Sequence, residues 1–100
     1  MLTAKEAKQL STAAYSIRVA EDLIRLESNF ESIRDAAIKI GLSYCELPVH
    51  EGVVTDPLTT NTECSAQAAK EFSTLLVNNG YCVRTNTSPQ SLFIAWGFAT

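Results

Sequence analysis

Near the amino terminus the apolar positions fall into two series, each with helical spacing. Leu10, Ala13, Ile17, Ala20 and Ile24 alternate steps of three and four, which aligns them on one stripe of an α-helix. This stripe is expected to pack against another surface. It lapses at Glu27, while a second series, Leu23, Leu26, Phe30, Ile33, Ala37 and Ile40, runs on displaced by one residue. Thr3 to Glu6, TAKE, has the reciprocal pattern of a capping box and predicts a helix start at Ala4. Gly41 supplies the left-handed residue expected after a helix. Ser28 to Glu31, SNFE, repeats the capping pattern in the middle. Either the chain stops there and restarts as two helices, or one long helix, continuous or kinked, turns its apolar face by about 100°. The lack of any Gly or Pro in this stretch favours the single helix.

From Leu42 to Val49 the period changes toward alternation, which predicts a first strand; Pro48 has no N–H to donate, so the strand ends near it or lies at a sheet edge. His50 to Glu63 reads as a long loop, with Gly52, Asp56-Pro57 and a run of Thr and Asn. Thr60 to Glu63, TNTE, is a further capping-box candidate and is expected to open a second helix through Ala66, Ala69, Phe72 and Leu76 to Asn79. Asn79-Gly80-Tyr81 suits a helix-terminating turn with Tyr81 folding back. Two strands, YCVRT and SLFIAWGF, follow on either side of the turn NTSPQ and should form an antiparallel hairpin.

The order α, β, α, β, β predicts an α+β fold: a long N-terminal helix, then β-α-β-β with a small, mainly antiparallel three-stranded sheet covered on one face by helices. The chain reads as one domain over residues 1–100, a helical arm over 1–41 and the β-α-β-β unit over 42–100. A helix of nearly forty residues would be about 55 Å long, more than such a sheet can cover. Part of its apolar surface is therefore expected to fold back on itself or to pair with another copy, and a homo-oligomer is the favoured outcome.

Composition narrows the functional classes. With 46% hydrophobic and 19% charged residues over 100 residues, the chain has the make-up of a folded globular protein. Its net charge of −3 and its scattered Lys and Arg residues argue against nucleic-acid binding. No apolar run is long enough to span a bilayer, and charges occupy the place of a secretory apolar core, so a cytoplasmic protein is expected. The three cysteines, Cys45, Cys64 and Cys82, show no CxxC spacing and fit reduced thiols.

Candidate chemistry is sparse. His50, the single histidine, adjoins Glu51, a pairing that general acid–base catalysis can use, but no third group accompanies it. Cys45, His50, Cys64 and Cys82 match no zinc-ligand spacing, and no metal or cofactor is expected. Cys64 is the best-placed nucleophile, in the first turn of the expected second helix. Phosphate-cradling glycine motifs and the GxSxG elbow are absent. The Thr/Asn-rich segment containing Thr59, Thr60 and Asn61 leads into a helix N-terminus, where hydroxyls and backbone N–H groups can hold an anion. In the last strand Leu92, Ile94, Trp96 and Phe98 share one face and Phe93, Ala95 and Gly97 the other. The first set is expected in the core, and Phe93 with its small neighbours forms a flat patch for another chain or a planar ligand. His50, Thr59, Thr60, Asn61, Phe93 and Trp96 are thus the ligand or interface candidates, with no catalytic residues expected.

The opening LTAKEAKQL, the helix-to-strand passage AAIKIGLSYCELPV, the turn NNGYCV and the closing FIAWGF together resemble small phage-encoded α+β proteins of unassigned function. The chain departs from that pattern in having fewer Lys and Glu residues and Ala95 where a Ser is usual. The resemblance implies a non-enzymatic accessory protein that binds and neutralises a host component, protein or small-molecule signal, in the host cytoplasm. A structural or assembly component of the phage particle is the alternative it implies.

Overall fold

In the computed structural model, residues 1–51, 63–87 and 90–97 are described. Helix α1 (Ala4–Lys39) is followed by strands β1 (Tyr44–Pro48), β2 (His50–Glu51) and β3 (Glu63–Cys64), helix α2 (Ala66–Asn78), and strands β4 (Cys82–Thr87) and β5 (Gln90–Ala95). This is the expected α+β arrangement, with α1 as one helix through Ser28. Thr3 caps it where the TAKE pattern predicts: its hydroxyl accepts from the Glu6 N–H at 3.2 Å, and the Glu6 carboxylate reaches back and accepts from that hydroxyl at 3.1 Å. At the far end the Leu42 N–H donates to the Ala37 carbonyl and the Gly41 N–H to that of Ile38. With Gly41 at φ +82°, this is a Schellman motif. Gly80, at φ +90°, ends α2 in the same way, and the Tyr81 N–H returns to the Leu76 carbonyl at 3.1 Å.

The main sheet has the order β1-β5-β4, antiparallel throughout. β1 is an edge strand, where Pro48 costs no ladder bond. The strands of the hairpin run further into NTSPQ than the sequence suggests, with Thr87 opposite Gln90. The register assigns two faces. Cys45, Ile94 and Val83 lie in one row and Leu47, Leu92 and Thr85 in the next, facing the helices. α1 packs over β1, and α2 over β4.

The core joins Leu26, Phe30 and Ala37 of α1 and Ala68, Phe72 and Leu76 of α2 to Cys45, Leu47, Leu92 and Ile94 of the sheet. Phe30 sits at its centre, edge-on to Phe72 (centroids 5.9 Å apart) and to Tyr81 (5.2 Å). Burying each such large side chain contributes about 1.5–3 kcal/mol. Of the two α1 series, only the second supplies this core, and Ile40 at its end is 74% exposed. The first series is not buried: Leu10, Ile17 and Ile24 are 60%, 62% and 67% exposed. The physical reason is angular. Ile17 lies nine residues before Leu26, so the two point about 180° apart on one straight helix, and the side that meets the sheet is the Leu26 side.

A second correction concerns the start of α2. Glu63 and Cys64 are not a capping turn: they pair in parallel with His50 and Glu51. The cap is Ser65, whose hydroxyl accepts from the Ala68 N–H at 3.2 Å. The loop from His50 to Glu63 is thus pinned at both ends by a short parallel ladder that local pattern did not reveal. Ser65 is itself held from outside, because its N–H donates to the Asp22 carboxylate at 2.9 Å. Asp22 is 3% exposed and also accepts from Arg25 at 2.7 Å, with the Arg18 Nε at 3.4 Å. One acidic side chain of α1 therefore sets where α2 begins.

Candidate functional site: the open face of the sheet

The helices cover one face of the sheet, and the register places Tyr44, Ala95 and Cys82 in one row of the other face and Glu46, Phe93 and Arg84 in the next. Tyr44 and Phe93 stack with centroids 5.4 Å apart and planes 25° from parallel. Tyr44 remains 45% exposed, although its ring is one half of this platform. With Ser43, Cys82, Arg84, Ala95 and Gly97 they line a concavity of about 500 Å³. The floor is low because Ala95 and Gly97 have little or no side chain, and the walls are the aromatic pair and Arg84. The central strand carries Phe93 between the acid of β1 and the guanidinium of β4, in one row about 10 Å wide. Such a surface suits a flat or extended apolar group that carries opposite partial charges toward its two ends. The patch expected around Phe93 is therefore present, and Tyr44, Cys82 and Arg84 join it through strand pairing that the sequence left open.

The other candidates are dispersed. Trp96 lies on the opposite face from Phe93, half-buried against the core and edge-on to Tyr81 at 6.2 Å. It borders a shallow depression with Arg34, Asp35, Ile38 and Tyr81. The His50 backbone is in β2, opposite Glu63, and Thr59, Thr60 and Asn61 lie outside the described residues. Cys64, expected in a helical first turn, is instead in β3 and fully buried, an inert setting for a thiol. Burial likewise pushes the Cys45 thiol above its ordinary pKa, against a smaller opposing pull from Arg34. Cys82, on the open face, is the exposed thiol.

Sequence reasoning missed a polar cluster at the other end of the core. Arg34 donates to the Tyr81 hydroxyl at 3.2 Å and to Asp35 at 3.1 and 3.2 Å, and its guanidinium lies 5.4 Å from the centre of the Phe30 ring. The Tyr81 bond is the largest influence raising its pKa. The available signal was the i,i+4 spacing of Phe30 and Arg34, which puts them on one helix face. The cluster ties α1 to the end of α2 and reads as a structural clasp.

Among the described residues no group of His, Cys, Asp and Glu side chains could hold a metal ion, and no helix is long and apolar enough to cross a membrane. No protein-family model, curated protein or solved structure matches the chain.

Proposed function

We propose that this chain is a non-enzymatic phage accessory protein that binds and neutralises a host component in the host cytoplasm, acting as a homo-oligomer, with the open sheet face as its contact surface. The observation that carries the reading is the uncovered Tyr44–Phe93 platform between Glu46 and Arg84. A sheet face that serves only the fold is covered or polar, whereas this one presents stacked rings over a smooth floor. The phage setting rests on the sequence resemblance alone.

A second reading, a structural component of a phage particle, is favoured by one feature. The chain is 59 Å in its longest dimension, and its protruding helix carries the exposed series Leu10, Ile17 and Ile24, as an assembly element would.

Native mass spectrometry of the protein purified from a host lysate tests both. The expected result is a discrete oligomer carrying an additional protein or small molecule, which is lost in a Tyr44→Ser/Phe93→Ser variant of unchanged subunit count. A partner retained equally by that variant, or no retained mass at all, overturns the sheet-face reading. Open-ended polymers, or the protein within purified particles, establish the second.

A further inference from the structure

The concavity on the open face has a floor, two walls and one charge. The register sets Ala95 between Tyr44 of β1 and Cys82 of β4, so the walls stand roughly 10 Å apart, two inter-strand spacings. The Tyr44–Phe93 stack rises on one side and Cys82 and Arg84 on the other, and between them Ala95 and Gly97 hold nothing taller than a methyl group. Gly97 does more than keep the floor low. A Cβ there would come within 2.8 Å of the Ser43 hydroxyl oxygen, so the glycine is what lets that hydroxyl close one end. Neither the Ser43 hydroxyl nor the Arg84 guanidinium has a hydrogen-bond or ion-pair partner in the protein.

We infer that this concavity binds a small planar aromatic monocarboxylate, its ring over Ala95 and Gly97 against the Tyr44–Phe93 pair and its carboxylate on Arg84. The inference rests on the open face as the contact surface and names what that face holds. The ring follows from the lining, because stacked aromatic side chains beside a smooth floor favour another flat apolar group. A volume of about 500 Å³ is of the size that takes a small molecule. Charge selects the rest. Among the described residues Arg84 is the one charged side chain that lines the concavity, and a guanidinium donates two parallel N–H bonds to a carboxylate. Glu46 lies in the same row on the far side of Phe93. There it repels a second negative charge, which favours a monoanion over a phosphate dianion. The Ser43 hydroxyl, at the other end, is left for a polar substituent on the ring.

Cys82 is the reporter for the test, since it is the exposed thiol and lines the concavity. Naphthoate should slow the alkylation of Cys82 by iodoacetamide in a saturable way, and the amide signals it shifts in two-dimensional NMR should fall on residues 43–46, 82–84 and 93–97. Neutral naphthamide should bind about tenfold more weakly, through loss of the charge-assisted pair. Arg84→Gln, an exposed position whose change leaves the fold intact, should abolish that difference, and Arg84→Lys should restore only part of it. Gly97→Ala, which raises the floor and displaces the Ser43 hydroxyl, should weaken both probes alike. Equal binding of naphthoate and naphthamide, or tighter binding of naphthyl phosphate than of naphthoate, overturns the monocarboxylate assignment. Protection of Cys82 by none of the probes also overturns it. In each of these cases a partner that native mass spectrometry shows lost from the Tyr44→Ser/Phe93→Ser variant leaves the open face standing as the contact surface, and a partner retained there removes that reading as well.

Discussion

The two halves of α1 share one backbone and similar apolar content, yet they stand in different environments. From Arg18 to Lys39 the helix puts Asp22, Leu26, Phe30 and Ala37 into the protein, while from Ala4 to Ile17 it buries nothing. The comparison teaches that helical periodicity identifies a face but not what the face meets. Leu10, Ile17 and Ile24 are as regular as Leu26, Phe30 and Ala37. What separates them is which side of the rod docks on the sheet, and that choice is made by residues far away in sequence, Cys45, Leu47, Phe72 and Ile94.

The comparison can be broken most sharply by truncating each half. Phe30→Ala should destabilise the fold by about 3–5 kcal/mol, the usual cost of removing a buried aromatic ring, seen as a large fall in the thermal midpoint. Leu10→Ala should change the stability of the monomer by no more than about 0.5 kcal/mol. Equal losses would show that the amino-terminal half is packed within the chain after all. Next in size, Asp22→Ala should cost about 1–3 kcal/mol, because the buried Ser65 N–H loses its acceptor. Asp22→Asn, which keeps an acceptor for that N–H, should recover part of the loss in chemical denaturation.

A smaller effect sharpens the body half. Gly80→Ala should cost about 1–2 kcal/mol, since φ of +90° disfavours a side chain even though the space beside it is open. It should also loosen Tyr81 from Phe30 and Trp96, shifting the emission of the single tryptophan.

The smallest effect lies at the cysteines. Cys82 should be alkylated rapidly in the native protein, and Cys45 and Cys64 only on unfolding. Because burial raises the Cys45 pKa, the folded state keeps that thiol protonated where the unfolded chain already ionises. The stabilisation is complete below the ordinary thiol pKa and is lost as pH rises through the raised one. A Cys45→Val variant should lose less stability between neutral and alkaline pH than the parent, measured by denaturant midpoints.

Some of the site was legible from strand alternation. Phe93, Ala95 and Gly97 share a face because successive side chains on a strand alternate, whatever the partners are. The rest of the platform was not legible, since Tyr44 and Arg84 reach Phe93 only through the central position of β5. Three strands can be ordered in more than one way, and the local sequence of each is compatible with an edge or a centre. The same alternation assigns Trp96 and Phe93 to opposite faces, and the structure keeps them there, Trp96 against the core and Phe93 on the open side. At Ser65 the competing signal, TNTE, was locally sound. It lost because Glu63 and Cys64 gain a parallel ladder and a buried position for the thiol, while Asp22 secures the cap at Ser65.

By itself the sequence determined the elements that close on their own neighbours: the Thr3 capping box, the two glycine-ended helices, the hairpin, and the α+β order. Those depend on interactions a few residues apart, for which chain entropy leaves few alternatives. Only the tertiary structure decided which stripe of α1 is buried, where α2 starts, which strand is central, and that Tyr44 meets Phe93. Each of these joins segments distant along the chain, where many pairings satisfy the local pattern and the selection is made by the one packing that buries the apolar surface and pairs the polar groups together.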